Sequence, residues 1–246
     1  MLKAIKDFYK RTKFDFKKEM LTPDFKYPKN WIKIFFKNYP RFKQTPLHTE
    51  RKGGEIINTL VNRYSEREFS DRPLSFLDIS QLIYFSSGIK EMEEDTNKTR
   101  RVYPSAGARY PIELYLISNN ISGLPKGLYH YNVKLNTLET LIEEDLRNKS
   151  TEIFSGEINK FYPNYIVLTG VMSRTEVKYG INAYRFALLE CGHIGQNISL
   201  LSVNHNLGCC AIGGFDNDQL VKLLDIGDDE IPLYAFAIGN PKKQGH

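Results

Sequence analysis

The chain has little cysteine and no long apolar run. Its 246 residues include three cysteines, Cys191, Cys209 and Cys210. An odd count with two adjacent members excludes a disulfide framework and lacks metal-ligand spacing, so we expect small core residues and no metal site. No run of about 18 apolar residues occurs, and the lysine-containing N-terminus does not resemble a signal peptide. We therefore expect a cytoplasmic protein that does not associate with membranes.

Positive charge is concentrated near the N-terminus. The net charge is +5, and residues 1–50 hold thirteen Lys and Arg against five Asp and Glu, which leaves +8 there and −3 in the remainder. Basic residues interleaved with aromatics can indicate nucleic-acid binding, but no recognised motif accompanies them, so we expect no nucleic-acid partner. We divide the chain into a basic N-terminal arm, residues 1–54, which packs on the domain or on a partner, and a main domain, residues 55–246.

Hydrophobic periodicity predicts helices and strands that do not alternate strictly. An almost wholly apolar helix over 183–207, ended by Gly208, is expected to be buried on all sides. Ser75 is the predicted N-cap of a helix over 76–87. The other predicted helices are 2–12, 31–37, a stripe that begins at Glu55, and 143–158; the predicted strands are 113–118, 127–132, 137–141, 165–169, 209–212 and 231–238. This mixture favours an α+β fold over a doubly wound sheet.

A seam of small residues runs along the long helix. Ala187, Cys191, Gly195 and Ser199 recur at every fourth position, so they lie one above the other. Gly192 and Gly195 each cost about 1 kcal/mol relative to Ala in a helix interior, and close packing is the simplest compensation. We infer a tightly packed helix pair at this seam, across a dimer interface.

Three short motifs carry candidate ligand-binding groups. Arg63, Ser65 and Arg67 point the same way in an extended segment, and paired arginines favour phosphate or a carbonyl-rich ring edge. The alternative is that they are exposed surface charges. The rigid turn of small residues at 104–107 can lie against a flat ring. The glycines at 213–214 expose backbone N–H groups to a flat ligand, or simply form a turn.

Lys178 and Tyr179 place an amine beside a phenol just before the long helix, a combination that suits proton transfer. The alternative is a structural pair in which Lys178 neutralises an acid such as Glu176. On the long helix itself, His193 and Gln196 lie one turn apart and can face a site or each other. We expect His193 to be a core histidine.

An ordered set of motifs extends from about Arg63 to Pro241. They are R-x-S-x-R, P-S-A-G-x-x-Y-P-x-E-L-Y, G-L-Y-H-Y, K-Y-G, G-H-I-x-Q-N, I-G-G-F-D and I-G-N-P. The set resembles the nitroreductase-like flavoproteins and, more closely, the SagB-type dehydrogenases, azoline-oxidising flavoenzymes of thiazole/oxazole-modified peptide pathways. The resemblance implies an α+β fold with a central, mostly antiparallel sheet flanked by helices. It also implies an intertwined homodimer with FMN at the interface.

The resemblance assigns roles to individual residues. Arg63 and Arg67 would meet the phosphate and pyrimidine side of FMN, and Ser65 its ribityl chain. Lys178 and Tyr179 match the pair that serves azoline oxidation, where a base removes a ring proton while hydride moves to flavin N5; a lysine serves as that base when its surroundings lower its pKa. The other implied FMN contacts are Pro104, Ser105, Ala106 and Gly107 from the other subunit, Gln196, Gly213, Gly214, and Lys242 and Lys243 near the phosphate.

Three functions are consistent with these residues. The first is an FMN-dependent dehydrogenase that oxidises azoline rings in a modified peptide, passes the electrons to oxygen and works with a cyclodehydratase partner. The second is an NAD(P)H-dependent nitroreductase or quinone reductase with a small-molecule substrate. The third is a non-catalytic subunit of the same fold, whose basic arm holds a peptide or a partner.

Overall fold

The computed structural model of the chain describes residues 2–13, 36–37, 39–48, 54–94, 98–154 and 164–242. Some of the sequence predictions fall elsewhere. Residues 31–35 of the helix predicted at 31–37, residues 155–158 of the helix predicted at 143–158, and Lys243 lie outside the described residues.

A six-stranded antiparallel sheet forms the centre of the molecule. The strands, in chain order, are β1 (Leu74–Ser75), β2 (Ile89–Glu91), β3 (Arg100–Arg101), β4 (Ile112–Ser118), β5 (Ile121–Ser122), β6 (Gly127–Asn132), β7 (Thr137–Ile142), β8 (Asn164–Val171), β9 (Gly208–Ile212) and β10 (Glu230–Gly239). The main sheet has the order β7-β6-β4-β8-β10-β9, and all its neighbours are antiparallel. β1 pairs with β5 and β2 with β3 in two small sheets. The predicted antiparallel sheet is confirmed.

Helices flank this sheet. They are α1 (Lys3–Thr12), α2 (Glu55–Asn62), α3 (Phe76–Ser87), α4 (Arg147–Phe154), α5 (Ser173–Tyr179), α6 (Asn182–Asn204) and α7 (Asn217–Leu224). Ser75 caps α3 as predicted, because its hydroxyl accepts a hydrogen bond from the Asp78 N–H at 3.0 Å. α4 begins four residues later than the sequence predicted. Among the described helices, none combines the length and the apolar character needed to cross a membrane.

Both faces of the sheet are buried. On β4, Leu114 and Leu116 join one apolar cluster, which includes residues of α3 and α6. Tyr115 and Ile117 join a second cluster, which includes residues of α4 and α7. Successive side chains of a strand point to opposite faces, so a strand covered on both sides is apolar throughout. The continuous apolar sequence of β4 follows from this three-layer α+β arrangement.

The seam of small residues on α6 faces the sheet. Ala187, Cys191 and Gly195 are buried, and a Cβ added at Gly195 would lie 2.6 Å from Cζ of Phe236 on β10. The prediction that a second helix packs at this seam was therefore wrong at Gly195, where the closest neighbour is Phe236 of the sheet. Glycine is needed at position 195 because an aromatic ring of the sheet occupies the space of a side chain.

The opposite face of α6 is exposed in the single chain. Leu188 and Leu189 are 42% and 55% exposed, and His193 is also exposed. The single chain therefore does not bury this face of the helix or His193. α2 has the same character, since it buries none of its residues and Ile56 is 73% exposed.

α6 ends earlier than predicted and without its predicted glycine stop. Its last residue is Asn204, and the left-handed conformation that follows the helix is adopted by Asn206 with φ 56°. Gly208 is instead the first residue of β9. A Cβ there would lie 2.7 Å from Cγ of Glu66, so Gly208 allows a close approach of two segments.

The first helix of the basic arm packs on the main domain. Ile5 is 1% exposed and belongs to the apolar core. The Tyr9 hydroxyl donates a hydrogen bond to Asn217 Oδ1 at 2.8 Å, and Lys6 pairs with Asp228 at 2.6 Å. Positive charge of the arm thus meets negative charge of the domain at this contact.

The two glycines of α6 provide a test of its packing. Gly192→Ala and Gly195→Ala raise helix propensity equally, by about 1 kcal/mol. A Cβ at position 192 meets no atom within 4 Å, whereas one at position 195 meets Phe236. We expect Gly192→Ala to have the larger free energy of unfolding, by about 1–3 kcal/mol, the usual cost of overpacking. Equal values in denaturant unfolding would contradict this packing.

Candidate active site

The first group of predicted site residues follows α2 directly. Arg63, Ser65 and Arg67 are exposed, and the backbone at Arg63 is extended. The N–H of Glu66 donates a hydrogen bond to the carbonyl of Cys209 at 2.9 Å, so this segment is fixed beside β9. Two guanidinium groups therefore lie near the start of that strand.

The C-terminal end of the chain reaches the same segment. The N–H of Lys242 donates to the carbonyl of Glu68 at 2.9 Å, and Phe69 forms a β-bridge with Pro241. The structure thus brings Lys242 close to the Arg63–Arg67 segment, as the sequence suggested. Lys243, its predicted companion, lies outside the described residues.

A cavity of about 1000 Å³ opens beside this segment. Arg63, Ser199, Ser202 and Cys209 contribute to its wall. Burial raises the pKa of the Cys209 thiol to about 12, so the thiol is neutral at physiological pH. The wall also includes Arg72, Glu66 and Asp78, so it carries charge of both signs, and its two arginines suit a phosphate.

The glycine pair lies at the other end of β9. Cys209 and Gly213 are four residues apart along extended chain, which corresponds to roughly 13 Å. Gly213 is exposed, and a Cβ there would meet nothing within 4 Å, while Gly214 is buried. Tyr9 and Thr12, at the end of α1, line a small cavity with Gly213. Guanidinium groups near one end of a strand and open backbone at the other fit an elongated ligand such as FMN.

The second group of predicted residues meets at Gly107. This glycine has φ 61°, and a Cβ on it would lie 2.6 Å from the Tyr179 hydroxyl and 2.8 Å from Lys178 Nζ. Lys178 Nζ also lies 5.3 Å from the centre of the Tyr179 ring. Lys178 and Tyr179 are the last two residues of α5. The loop at 104–107 and the predicted catalytic pair are therefore in contact.

Glu190 supports this loop from behind and was not recognised as a site residue from the sequence. Its Oε1 accepts hydrogen bonds from the Ser105 hydroxyl at 2.8 Å and from the Ala106 N–H at 3.2 Å. The side chain is 2% exposed, and burial raises its pKa to about 7. The available signal was an acid within an otherwise apolar stretch of helix, which sequence reasoning treated only as an interruption.

The two groups are separated within one chain. Ser202, beside the Arg63 cavity, and Glu190, behind the Gly107 loop, are twelve residues apart on α6, which is about 18 Å along the helix. Gln196 lies between them on the helix and is exposed. The chain alone therefore assembles two half-sites, one at each end of this stretch of α6.

Comparisons with known proteins agree with the fold. The sequence model of the nitroreductase family matches residues 60–240. A candidate nitroreductase of Methanocaldococcus jannaschii is 25% identical over 189 residues, which are 75% of this chain and 90% of that protein. The microcin B17-processing protein McbC of Escherichia coli is 25% identical over 201 residues, 75% of this chain and 72% of McbC.

A solved structure is similar over nearly the whole chain. It is the Escherichia coli microcin synthetase McbBCD complex with truncated pro-MccB17 bound, with a TM-score of 0.74 and 22% identity. The match covers 98% of this chain and 92% of that chain, and at this identity it shows the fold. With a family model that spans most of the main domain and a fold that agrees with it, the chain belongs to the nitroreductase family of flavin-dependent oxidoreductases.

Proposed function

We propose that this enzyme is an FMN-dependent dehydrogenase of the SagB type that oxidises azoline rings in a modified peptide. The observation that carries the proposal is the contact of Gly107 with Lys178 and Tyr179. It places an amine and a phenol directly against the loop that, by resemblance, lies on the flavin. A nitroreductase that only passes electrons needs no such pair, whereas azoline oxidation needs a base next to the acceptor.

The half-site at β9 would hold the FMN. Arg63, Arg67, Lys242 and, by resemblance, Lys243 would supply positive charge for the phosphate. Ser65 would supply a hydroxyl for the ribityl chain, and the open backbone at Gly213 would face the ring. When bound, FMN supplies the two-electron acceptor for the oxidation, and molecular oxygen would regenerate it. A cation near the flavin ring favours its anionic reduced form.

The proposed reaction removes two hydrogens from the azoline ring, one as a proton and one as a hydride. Lys178 takes the proton from the ring carbon. Tyr179 orients that amine, since its ring lies beneath Lys178 Nζ and its hydroxyl faces the same side of Gly107. Gly107 of this loop contacts both side chains and holds them in place. The azole product gains one C=C bond between the two ring carbons that lost hydrogen, and its heavy atoms are unchanged.

A homodimer would complete the site. In one chain the FMN half-site and the Lys178 half-site are about 18 Å apart along α6. The apolar residues exposed on α2 and α6, such as Ile56 and Leu189, supply a surface for a second copy. Burial of exposed apolar surface is a common driving force for obligate dimers. We therefore propose that the loop at 104–107 of each subunit reaches the FMN held by the other.

A peptide substrate and a cyclodehydratase partner are also part of the proposal. Support comes from the name of McbC, a microcin-processing protein, and from the trifolitoxin-processing protein TfxB of Rhizobium leguminosarum, which is 30% identical over 40% of this chain. The second candidate is an NAD(P)H-dependent reductase. It is favoured by the relative in Bacillus subtilis named FMN reductase (NADPH), which is 23% identical over 75% of this chain.

The third candidate, a non-catalytic subunit, depended on the basic arm. α1 of this arm packs on its own domain through Ile5 and Tyr9. This helix is therefore committed to the fold and to the neighbourhood of Gly213. Membership of an enzyme family also favours catalysis over scaffolding.

Replacement of the proposed base tests the dehydrogenase directly. We expect Lys178→Ala to retain bound flavin and to lose at least about a hundredfold in azoline oxidation, the usual contribution of a general base. The exposed Lys134, in the turn between β6 and β7, gives a matched control. Turnover by Lys178→Ala equal to that of Lys134→Ala would reject the assignment.

Gly107→Ala tests the contact between the loop and the pair. The new Cβ would lie within 3 Å of Lys178 Nζ and the Tyr179 hydroxyl, and both are mobile ends of side chains. We therefore expect them to be displaced, with an activity loss of about tenfold or more and a stability loss of only about 1–2 kcal/mol from the left-handed backbone. Gly123→Ala is the control, because Gly123 has φ 83° and its nearest atom would be 3.9 Å away. Equal activity in the two variants would argue against the contact.

A further inference from the structure

The carboxyl group of Glu190 is buried, but only one of its two oxygens is hydrogen-bonded. Oε1 accepts from Ser105 and Ala106, but Oε2 is buried and has no hydrogen-bond partner among the residues that the structure describes. An unpaired buried polar atom carries a desolvation cost. A carboxyl group kept in such a place, behind a loop that touches the proposed catalytic pair, points to a role in that loop.

The loop needs external support because its backbone is strained. Gly107, Ala108 and Tyr110 have φ of 61°, 53° and 47°, and left-handed conformations are unfavourable for residues other than glycine. The Ser105 hydroxyl is central, since it donates to Glu190 and accepts from the Tyr110 N–H at 2.8 Å. Release of Glu190 would therefore loosen both ends of the strained turn.

We propose that Glu190 is a positioning residue whose neutral carboxyl group holds the Ser105–Gly107 loop against Lys178 and Tyr179, and whose ionisation releases that loop. The inference rests on the proposed function, because it assigns these two side chains to proton transfer. It adds a pH-dependent control of their position. Glu190 acts through the loop and is not itself expected to touch the substrate.

The titratable groups that face Glu190 do not all favour its neutral form. They are Arg101 on β3, Tyr103 just beyond that strand, and Cys191 on α6. Burial keeps Tyr103 and Cys191 uncharged by raising their pKa values, so Arg101 is the cation in this set. Arg101 and the two hydrogen bonds to the loop lower the pKa of Glu190, but burial is the largest influence and raises it to about 7.

The direction of the pH effect follows from linkage. A closed loop binds the Glu190 proton more tightly than an open loop, in which water reaches the carboxyl group and its pKa returns toward the ordinary 4.5. Below about pH 4.5 the carboxyl is protonated in both forms, and the closed form keeps its full stability. As pH rises from there toward 7, the open form releases protons first, so closure weakens.

Hydrogen exchange of the full-length protein as purified tests this inference. The measurement follows peptides that cover residues 104–110 at pH 5.5 and pH 8.5, with rates corrected for the intrinsic pH dependence of exchange. We expect the corrected exchange of the wild type to be about tenfold or more faster at the higher pH. In Glu190→Gln, which keeps an acceptor and stays neutral, residues 104–110 should be protected from exchange at both pH values. In Glu190→Ala they should be protected at neither. Glu94→Gln, at an exposed acid, is the control and should match the wild type.

Two results would overturn the inference. If residues 104–110 were equally protected from exchange at both pH values in the wild type and in Glu190→Gln, ionisation of Glu190 would have no effect on the loop. This comparison does not require Glu190→Ala to fold. Wild-type protection in a folded Glu190→Ala at pH 5.5 would exclude the positioning role. Hydrogen exchange is measured without substrate, so it tests the loop independently of the reaction. If the wild-type loop showed the expected pH dependence while Lys178→Ala kept full azoline oxidation, only the proposed function would be rejected.

Discussion

The packing of α6 across the antiparallel sheet sets the positions of the other parts of the candidate site. The helix is about 34 Å long, enough to extend across most of the sheet. At Gly195 it approaches the sheet so closely that the ring of Phe236 occupies the place of a side chain. This contact fixes the rotation of the helix, and with it the direction of every other residue that the helix carries.

Three functional features follow from that one orientation. Glu190 is turned inward, behind the strained loop that touches Lys178 and Tyr179. Near the far end of the helix, Ser202 faces the cavity beside Arg63. The remaining face, with Leu188 and Leu189, is left apolar and exposed. A single helix thus supports a loop, lines a candidate cofactor cavity and offers a surface for a second copy.

The sequence predicted local features well. Most strands were located because short apolar segments are bounded by turn residues. The start of α3 was located because a serine cap requires only residues close in sequence. The motifs were also informative, since they identified the loop and the pair that meet at Gly107 from positions about seventy residues apart. The contact between them was not predicted, because spacing along the chain cannot give it.

The features that the sequence missed depend on tertiary packing. An apolar helix with small residues does not reveal whether its seam faces a sheet or another helix, and the seam of α6 faces Phe236. Gly208 was interpreted as a helix end because glycines often occur there, but it is required by the approach of Glu66. Glu190 interrupted an apolar pattern, and its role became visible only once Ser105, eighty-five residues away in sequence, was placed beside it.

The most direct test of the proposed dehydrogenase is the absorbance of the bound flavin, followed under anaerobic conditions after mixing. The purified protein would be mixed separately with a thiazoline-containing peptide and with NADPH. We predict that the peptide bleaches the oxidised flavin band in one turnover, and that NADPH leaves it unchanged on the same time scale. Prompt bleaching by NADPH, with no response to the peptide, would contradict the dehydrogenase and support the reductase.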